Sequence, residues 1–148
     1  MVQKSWKILF RWISRTESGE PSPVLPDKPQ AAEPIARFLR HSNLCARTKG
    51  RVKPAAFLPA QDGKVSVFRT GELKESAIWS LGRLHLKDPG LSARAELQVQ
   101  QILDNNLLIE ADNDPVRHAN IVGWPKEKDA RKSITQQLAA VAILHILV

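Results

Sequence analysis

The strongest structural signal in this sequence is a strict alternation of apolar and polar residues that starts at Ala93 and ends at Gln100. Alternation with a period of two is typical of a β-strand that has one face on the hydrophobic core and the other in water. After a turn at 104–106, the alternation resumes at Leu107, Ile109 and Ala111. The two runs therefore predict an antiparallel hairpin.

The rest of the sequence predicts short elements around this hairpin. Prolines at both ends of 54–59 favour an edge strand, and Gly82 is a natural stop for a helix over 72–81. The other predicted elements are a helical turn over 35–44, strands over 64–69 and 118–122, and a long helix from about Pro125 whose apolar end, 139–148, is expected to be buried. The predicted fold is a small α+β domain, in which two main helices pack on one face of an antiparallel sheet of four or five strands.

A proline-rich stretch divides the chain. Residues 17–34 contain five prolines and few large apolar side chains, and this composition is typical of an extended linker. The full length of 148 residues leaves room for one domain. The sequence therefore predicts a helix over 1–16, a linker over 17–34 and a compact domain over 35–148.

The N-terminal segment has the pattern of a basic amphipathic helix over 3–15. Its apolar positions follow helical spacing, and basic residues occupy the other face. Such a helix could dock on its own domain or on a protein partner, or it could lie on an anionic membrane surface. A misassigned start codon, which would make the tail foreign to the protein, is a third possibility. The apolar positions are Trp6, Leu9, Phe10 and Ile13.

The expected compartment is the cytoplasm. Cys45 is the single cysteine, so the chain can form no internal disulfide framework. Lys7 and Arg11 interrupt the only N-terminal apolar run, and this excludes a signal peptide. No stretch approaches twenty apolar residues, so no transmembrane segment is predicted.

The net charge of +7 is concentrated in one segment. Residues 37–64 contain seven Lys or Arg residues and one Asp, whereas residues 65–148 contain ten charges of each sign. Clustered cations bind phosphate oxygens, and a neighbouring aromatic ring such as Phe38 or Phe57 can stack on a base. A solvated loop balanced by Glu110, Asp112 and Asp114 would explain the same pattern. The predicted polyanion-binding residues are Arg37, Arg40, Arg47, Arg51 and Lys53.

The stretch 115–125 is the first candidate for a functional site. If 118–122 is a strand, His118 and Asn120 project from the same face, because side chains alternate along a strand. A histidine can transfer a proton and an amide can orient a ligand, while Trp124 offers a stacking surface. The alternative is structural: both polar side chains could bond backbone groups, and Trp124 could close the base of the last helix.

Three further residues are candidates for ligand binding. Arg69 and Arg117 could clamp an anion, and His41 could join His118 if the two met in space. A metal site would also need a carboxylate such as Asp112, and the spacing matches no established ligand pattern. We therefore predict no metal and no cofactor.

Several segments resemble a group of short, uncharacterised bacterial proteins. They are Arg51-Val52-Lys53-Pro54-Ala55-Ala56-Phe57, Val67-Phe68-Arg69-Thr70, Ile78-Trp79-Ser80-Leu81-Gly82 and Arg117-His118-Ala119-Asn120-Ile121-Val122-Gly123-Trp124-Pro125. The resemblance covers about residues 37–145 and leaves out the tail and the linker. It implies a bacterial source, but it brings no known activity and no assigned catalytic residue.

Three functions are compatible with these patterns. The first is a binding module for nucleic acid or another phosphate-bearing ligand, which uses 37–53 with His118, Asn120 and Trp124 lining the site. The second is a small enzyme acting on a nucleotide or phosphoester, with His118 as acid/base and Arg69 or Arg117 as anion clamp. The third is a partner-docking protein, of a mobile element or defence operon, that works through its N-terminal helix.

Overall fold

The computed structural model describes residues 25–40, 44–46, 49–87 and 90–147. The predicted N-terminal helix and the first part of the predicted linker lie outside these residues. The strands are β1 (Pro34–Leu39), β2 (Cys45–Ala46), β3 (Arg51–Val52), β4 (Val65–Arg69), β5 (Ala93–Gln98), β6 (Leu108–Ala111), β7 (His118–Val122) and β8 (Ile143–Ile146). The helices are α1 (Glu75–Leu86), α2 (Val99–Leu103) and α3 (Lys128–Val141), and a 3-10 turn spans Pro54–Phe57.

The fold is α+β, as predicted, with a larger sheet than expected. Six strands form one antiparallel sheet in the order β6-β7-β4-β1-β5-β8. The strands β2 and β3 form a separate two-stranded ribbon. No helix in the described ranges is both long and apolar enough to cross a membrane.

The two long helices cover opposite faces of the sheet. On β1, Ile35 and Leu39 belong to the core that includes Leu138 of α3. The alternate residues Ala36 and Phe38 belong to a second core, which contains the buried residues of α1. Because side chains alternate along a strand, α3 and α1 lie on different sides. The expectation that both helices share one face, with the other face wet, is therefore wrong.

The central strand β1 replaces the helical turn that was predicted over 35–44. Four of its six residues are buried, in the pattern of a strand that is covered on both faces. Such a strand loses the simple alternation that identifies a half-exposed strand. Ile35, Phe38 and Leu39 then look helical, although Pro34 begins an extended segment that pairs with both β4 and β5.

The predicted hairpin does not form. The first run becomes β5 up to Gln98, where a capping box with Gln101 starts the short helix α2. The second run becomes β6, which pairs with β7 at the far side of the sheet. The alternation correctly identified two strands. They do not pair with each other, because β5 forms its backbone hydrogen bonds with β1 and β8, and β6 forms its own with β7.

Three further local predictions are wrong. Residues 54–57 form a 3-10 turn instead of a strand, because Pro54 at its first position suits a helical start. Gly82 does not end α1, which continues to Leu86. The last helix ends at Val141, and the apolar residues after it form the edge strand β8 beside β5. The predicted strands over 64–69 and 118–122 are confirmed as β4 and β7.

Candidate functional site

The polar cluster on the α1 side of the sheet centres on Asp112, which directly follows β6. The backbone N–H groups of Asp112 and Asn113 both donate to the carbonyl of His118, at 3.2 and 3.1 Å. This tight connection brings the carboxylate beside the first residue of β7. Its Oδ1 atom lies 2.7 Å from Nδ1 of His118, and its Oδ2 atom accepts a hydrogen bond from the amide of Asn120 at 3.0 Å.

Ser66 on the neighbouring strand completes this cluster. The β4–β7 register pairs Ser66 with Asn120 and Phe68 with His118. The hydroxyl Oγ of Ser66 lies 2.6 Å from Nε2 of His118. The described contacts therefore form a continuous chain from Ser66 through His118 to Asp112. The prediction that His118 and Asn120 project together from one strand is confirmed by their shared partner.

The carboxylate fixes the direction of the hydrogen bonds in this chain. Burial would raise the pKa of Asp112, but the backbone N–H of Asp114 and the side chains of His118 and Asn120 outweigh it and hold the pKa below its ordinary value. An ionised carboxylate only accepts hydrogen bonds. In the neutral ring, Nδ1 of His118 therefore carries the proton, and Nε2 accepts from the Ser66 hydroxyl.

The three hydrogen-bonded side chains of Ser66, His118 and Asp112 differ in their exposure to solvent. The Asp112 side chain is 44% exposed and that of His118 is 12% exposed, while Ser66 is half-buried in β4. The histidine is thus shielded between two groups that can be reached from solvent. Shielding keeps its hydrogen bonds from being exchanged for water.

A second histidine lies on the same side of the sheet. His85 of α1 packs edge-on against Phe68, with ring centroids 4.9 Å apart, and its ring centroid lies 6.4 Å from that of His118. Burial, together with the positive charges of His118, Arg37 and Arg40, lowers the pKa of His85 to about 4. His85 is therefore neutral at pH 7.

Two of the predicted polyanion-binding residues, Arg37 and Arg40, are close enough to His85 to contribute to its lowered pKa. Arg37 donates from Nε to the carbonyl of Ala56 and from an Nη atom to the carbonyl of Ser66, both at 3.0 Å. Burial lowers the pKa of its guanidinium group. Arg40 is exposed. Arg37 thus fixes the backbone of β4 at Ser66. Arg40 is free to contact a ligand from solvent.

The predicted anion clamps, Arg69 and Arg117, are both bound within the protein. Arg69 is 2% exposed and forms a bidentate pair with the buried carboxylate of Glu33, and it also donates to the carbonyl of Pro26 at 2.7 Å. Arg117 is 4% exposed and donates to the carbonyls of Arg69 and Gly71. These contacts attach the end of the predicted linker to the sheet and leave neither guanidinium group facing solvent.

Trp124 belongs to the opposite side of the sheet from His118. Its indole N–H donates to the carbonyl of Ile121 at 3.2 Å, and its ring packs against the core below α3. It therefore closes the start of the α3 segment and does not join the polar cluster. His41 and Arg47, two other predicted site residues, lie outside the described residues.

Three further basic residues of the segment 37–64 lie on the α3 side of the sheet. A cleft of about 640 Å³ is lined by Lys49, Arg51 and Lys53, with Gln136 and alanines of the α3 segment opposite them. The polar cluster around Asp112 and the basic cleft beside the β2–β3 ribbon are thus two separate sites on the molecule. The expectation that His118, Asn120 and Trp124 line the same site as residues 37–53 is not met in the described structure.

No group of three or more His, Cys, Asp or Glu residues in the described ranges is arranged to hold a metal ion.

Phe38 and Phe57, which could have stacked on a nucleic-acid base, are 5% and 0% exposed. Both rings are therefore core residues.

Ser66, Asp112 and His85 are the members of the cluster that the sequence prediction did not place in the site. Ser66 is the polar residue between Val65 and Val67. Its position predicts only that its side chain points to the opposite face of the strand from the two valines. Asp112 was considered for a metal site or for charge balance. The signal that would have joined them is the pairing of β4 with β7, which no local pattern in the sequence contains.

No protein-family model matches this chain, and neither a curated protein nor a solved structure matches it significantly. The function must therefore be argued from the geometry of the cluster itself.

Proposed function

We propose that this protein is a hydrolase that cleaves esters with Ser66 as nucleophile, His118 as general base and Asp112 as the group that orients the ring. The observation that carries the proposal is the hydrogen-bonded chain from Ser66 to His118 to Asp112, with contacts of 2.6 and 2.7 Å. Serine, histidine and a carboxylate in this connection perform acyl transfer on several unrelated folds, and geometry identifies them better than sequence order does.

The reaction follows from the tautomer that Asp112 imposes. Oγ of Ser66 attacks the carbonyl carbon of the ester, and its proton moves to Nε2 of His118. The same proton passes to the departing alcohol when the tetrahedral intermediate collapses to acyl-Ser66. Water then attacks the acyl group with His118 again as base, which releases the acid and restores the serine.

One further feature favours an anionic substrate. Arg40 is exposed, and it is close enough to His85 for its positive charge to contribute to the lowered pKa of that ring.

Asn120 holds the second oxygen of Asp112, so the carboxylate cannot rotate away from the histidine. Asn120 is therefore a positioning residue in this proposal.

A covalent probe tests the nucleophile directly. We expect a fluorophosphonate to label Ser66, with the adduct located by peptide mass mapping, and p-nitrophenyl acetate to be hydrolysed. The variants Ser66→Ala and His118→Ala should each lower turnover by at least about 10³-fold, whereas Ser76→Ala, which removes an exposed serine of α1, should leave it unchanged.

Two outcomes would overturn the proposal. One is labelling of the wild type that persists in Ser66→Ala. The other is the absence of both labelling and ester hydrolysis while circular dichroism shows that the protein is folded. Bis(p-nitrophenyl) phosphate is the second substrate in the experiment. If it is cleaved with dependence on His118 but not on Ser66, a phosphodiesterase replaces the ester hydrolase.

A further inference from the structure

The second candidate site is the cleft between the β2–β3 ribbon and α3, on the opposite side of the sheet from Ser66. In the ribbon, Cys45 pairs with Val52 and both are buried, whereas Arg51 is exposed. Lys53, two residues further along the extended chain, is exposed like Arg51, and both residues line the cleft. Lys49, before the turn at Gly50, is exposed as well and joins them in lining the cleft.

The charges of this cleft are not balanced by nearby acids. None of its described lining residues is Asp or Glu, and in the described part of the chain these three side chains form no ion pair. The carbonyl end of α3 lies in the opposite wall. A helix end carries only about half a unit charge, so three full positive charges dominate the potential of the cleft.

The shape of the cleft also favours a long polyanion. Its α3 wall consists of Gln136 and small residues, namely Ala139, Ala140 and Ala142, which leave room for a ligand to approach the ribbon. The lysine and arginine side chains are long and exposed, and clustered cations of this kind neutralise the phosphates of a nucleic-acid backbone. None of the described lining residues is aromatic.

From these observations we infer that the β2–β3 ribbon and the wall of α3 bind the phosphodiester backbone of a nucleic acid without regard to its sequence. Sequence independence follows because the cleft offers charges for phosphates and no ring on which a base could stack. This inference depends only on the cleft, and it stands whether or not Ser66 is a nucleophile.

Fluorescence anisotropy with a labelled mixed-sequence single-stranded DNA of twenty nucleotides tests the inference. We expect binding at low ionic strength whose logarithmic dependence on salt has a slope of roughly −2, since each of three phosphate contacts on a single strand contributes about −0.7. The double variant Arg51→Glu, Lys53→Glu should weaken binding by at least about tenfold and reduce the slope.

A matched control separates the cleft from the net charge. Lys126 and Lys128 are exposed at the start of α3, and the variant Lys126→Glu, Lys128→Glu changes the net charge by the same amount. Equal weakening by both double variants would overturn the inference, as would competition by inorganic phosphate at the concentration of the DNA phosphates. Binding of one base composition only would overturn the claim that the cleft ignores sequence. Ester hydrolysis by the Arg51, Lys53 variant should remain at the wild-type rate, so failure here is distinguishable from failure at Ser66.

Discussion

Gly82 of α1 lies directly against the ring of Phe38 on β1. A Cβ atom added at Gly82 would lie 2.7 Å from two ring carbons of Phe38 and 3.0 Å from a methyl carbon of Leu91. The glycine is inside the helix, where it lowers helix stability, and at this position the helix backbone is in close contact with the ring of Phe38. It therefore allows α1 to cover the central strand.

This contact predicts that Gly82→Ala destabilises the fold, although alanine is the better helix former. The gain in helix propensity is about 1 kcal/mol, while overpacking a buried core typically costs about 1–3 kcal/mol. Phe38 is 5% exposed and packs on Phe68, so its ring has little room to move. We expect a lower midpoint in urea for Gly82→Ala and partial recovery when Phe38→Leu is added. An increase in stability for the single variant would contradict the close contact.

The buried pair of Glu33 and Arg69 predicts a large loss of stability when one partner is removed. Glu33→Ala would leave the guanidinium group of Arg69, which is 2% exposed, without its carboxylate. Breaking such a pair costs about 3–5 kcal/mol, to be measured by chemical denaturation. The matched control is Glu110→Ala, an exposed glutamate on β6, for which a change within about 0.5 kcal/mol is expected. Equal effects of the two variants would show that the pair contributes little.

The lowered pKa of His85 predicts that the free energy of unfolding decreases as the pH falls from about 6.5 to about 4. Its pKa is about 4 in the folded protein and 6.5 ordinarily. In this window the unfolded chain therefore binds a proton that the folded chain does not, and stability falls as the pH falls. The positive groups that face it are His118 on β7, Arg37 on β1 and Arg40. Thermal midpoints at pH 7.5 and 5.0 should differ less in His85→Leu than in the wild type, and an unchanged difference would speak against this cause.

Asp112→Asn tests the direction of the hydrogen bonds in the proposed catalytic chain. If the new amide N–H faces Nδ1 of His118, the ring proton moves to Nε2, which then no longer accepts from Ser66. We expect turnover of p-nitrophenyl acetate to fall by about 10⁴-fold. Asp104→Asn, which alters an exposed acid at the end of α2, should retain wild-type turnover. Full activity of Asp112→Asn would exclude the proposed role of the carboxylate.

The sequence predicted the parts of this structure that have local causes. The strand β4, the strand β7 and the shared face of His118 and Asn120 all follow from alternation within five residues. The strand β1 was missed because burial on both faces removes the alternation. The cluster was only half found, since Ser66 and Asp112 reach His118 through strand pairing and a reversal of the chain. Arg69 and Arg117 were assigned to a ligand because sequence cannot show that Glu33 and backbone carbonyls already bind them.

The strand order also has a consequence for how the chain reaches this structure. Two pairs of strands in the six-stranded sheet are consecutive in sequence and adjacent in space, β1–β4 and β6–β7, and of these β6–β7 is joined by a short connection whereas residues 40–64 separate β1 from β4. At the centre, Ile35 pairs with Arg69 of β4 and with Leu97 of β5, so the chain must close a long loop before β1 gains either partner. Loop closure costs entropy before the pairing returns free energy, and sheets built from such distant contacts fold in about milliseconds to seconds. Refolding should therefore be slow and cooperative, with the small β6–β7 hairpin as the only part of the sheet that can form early from neighbouring residues.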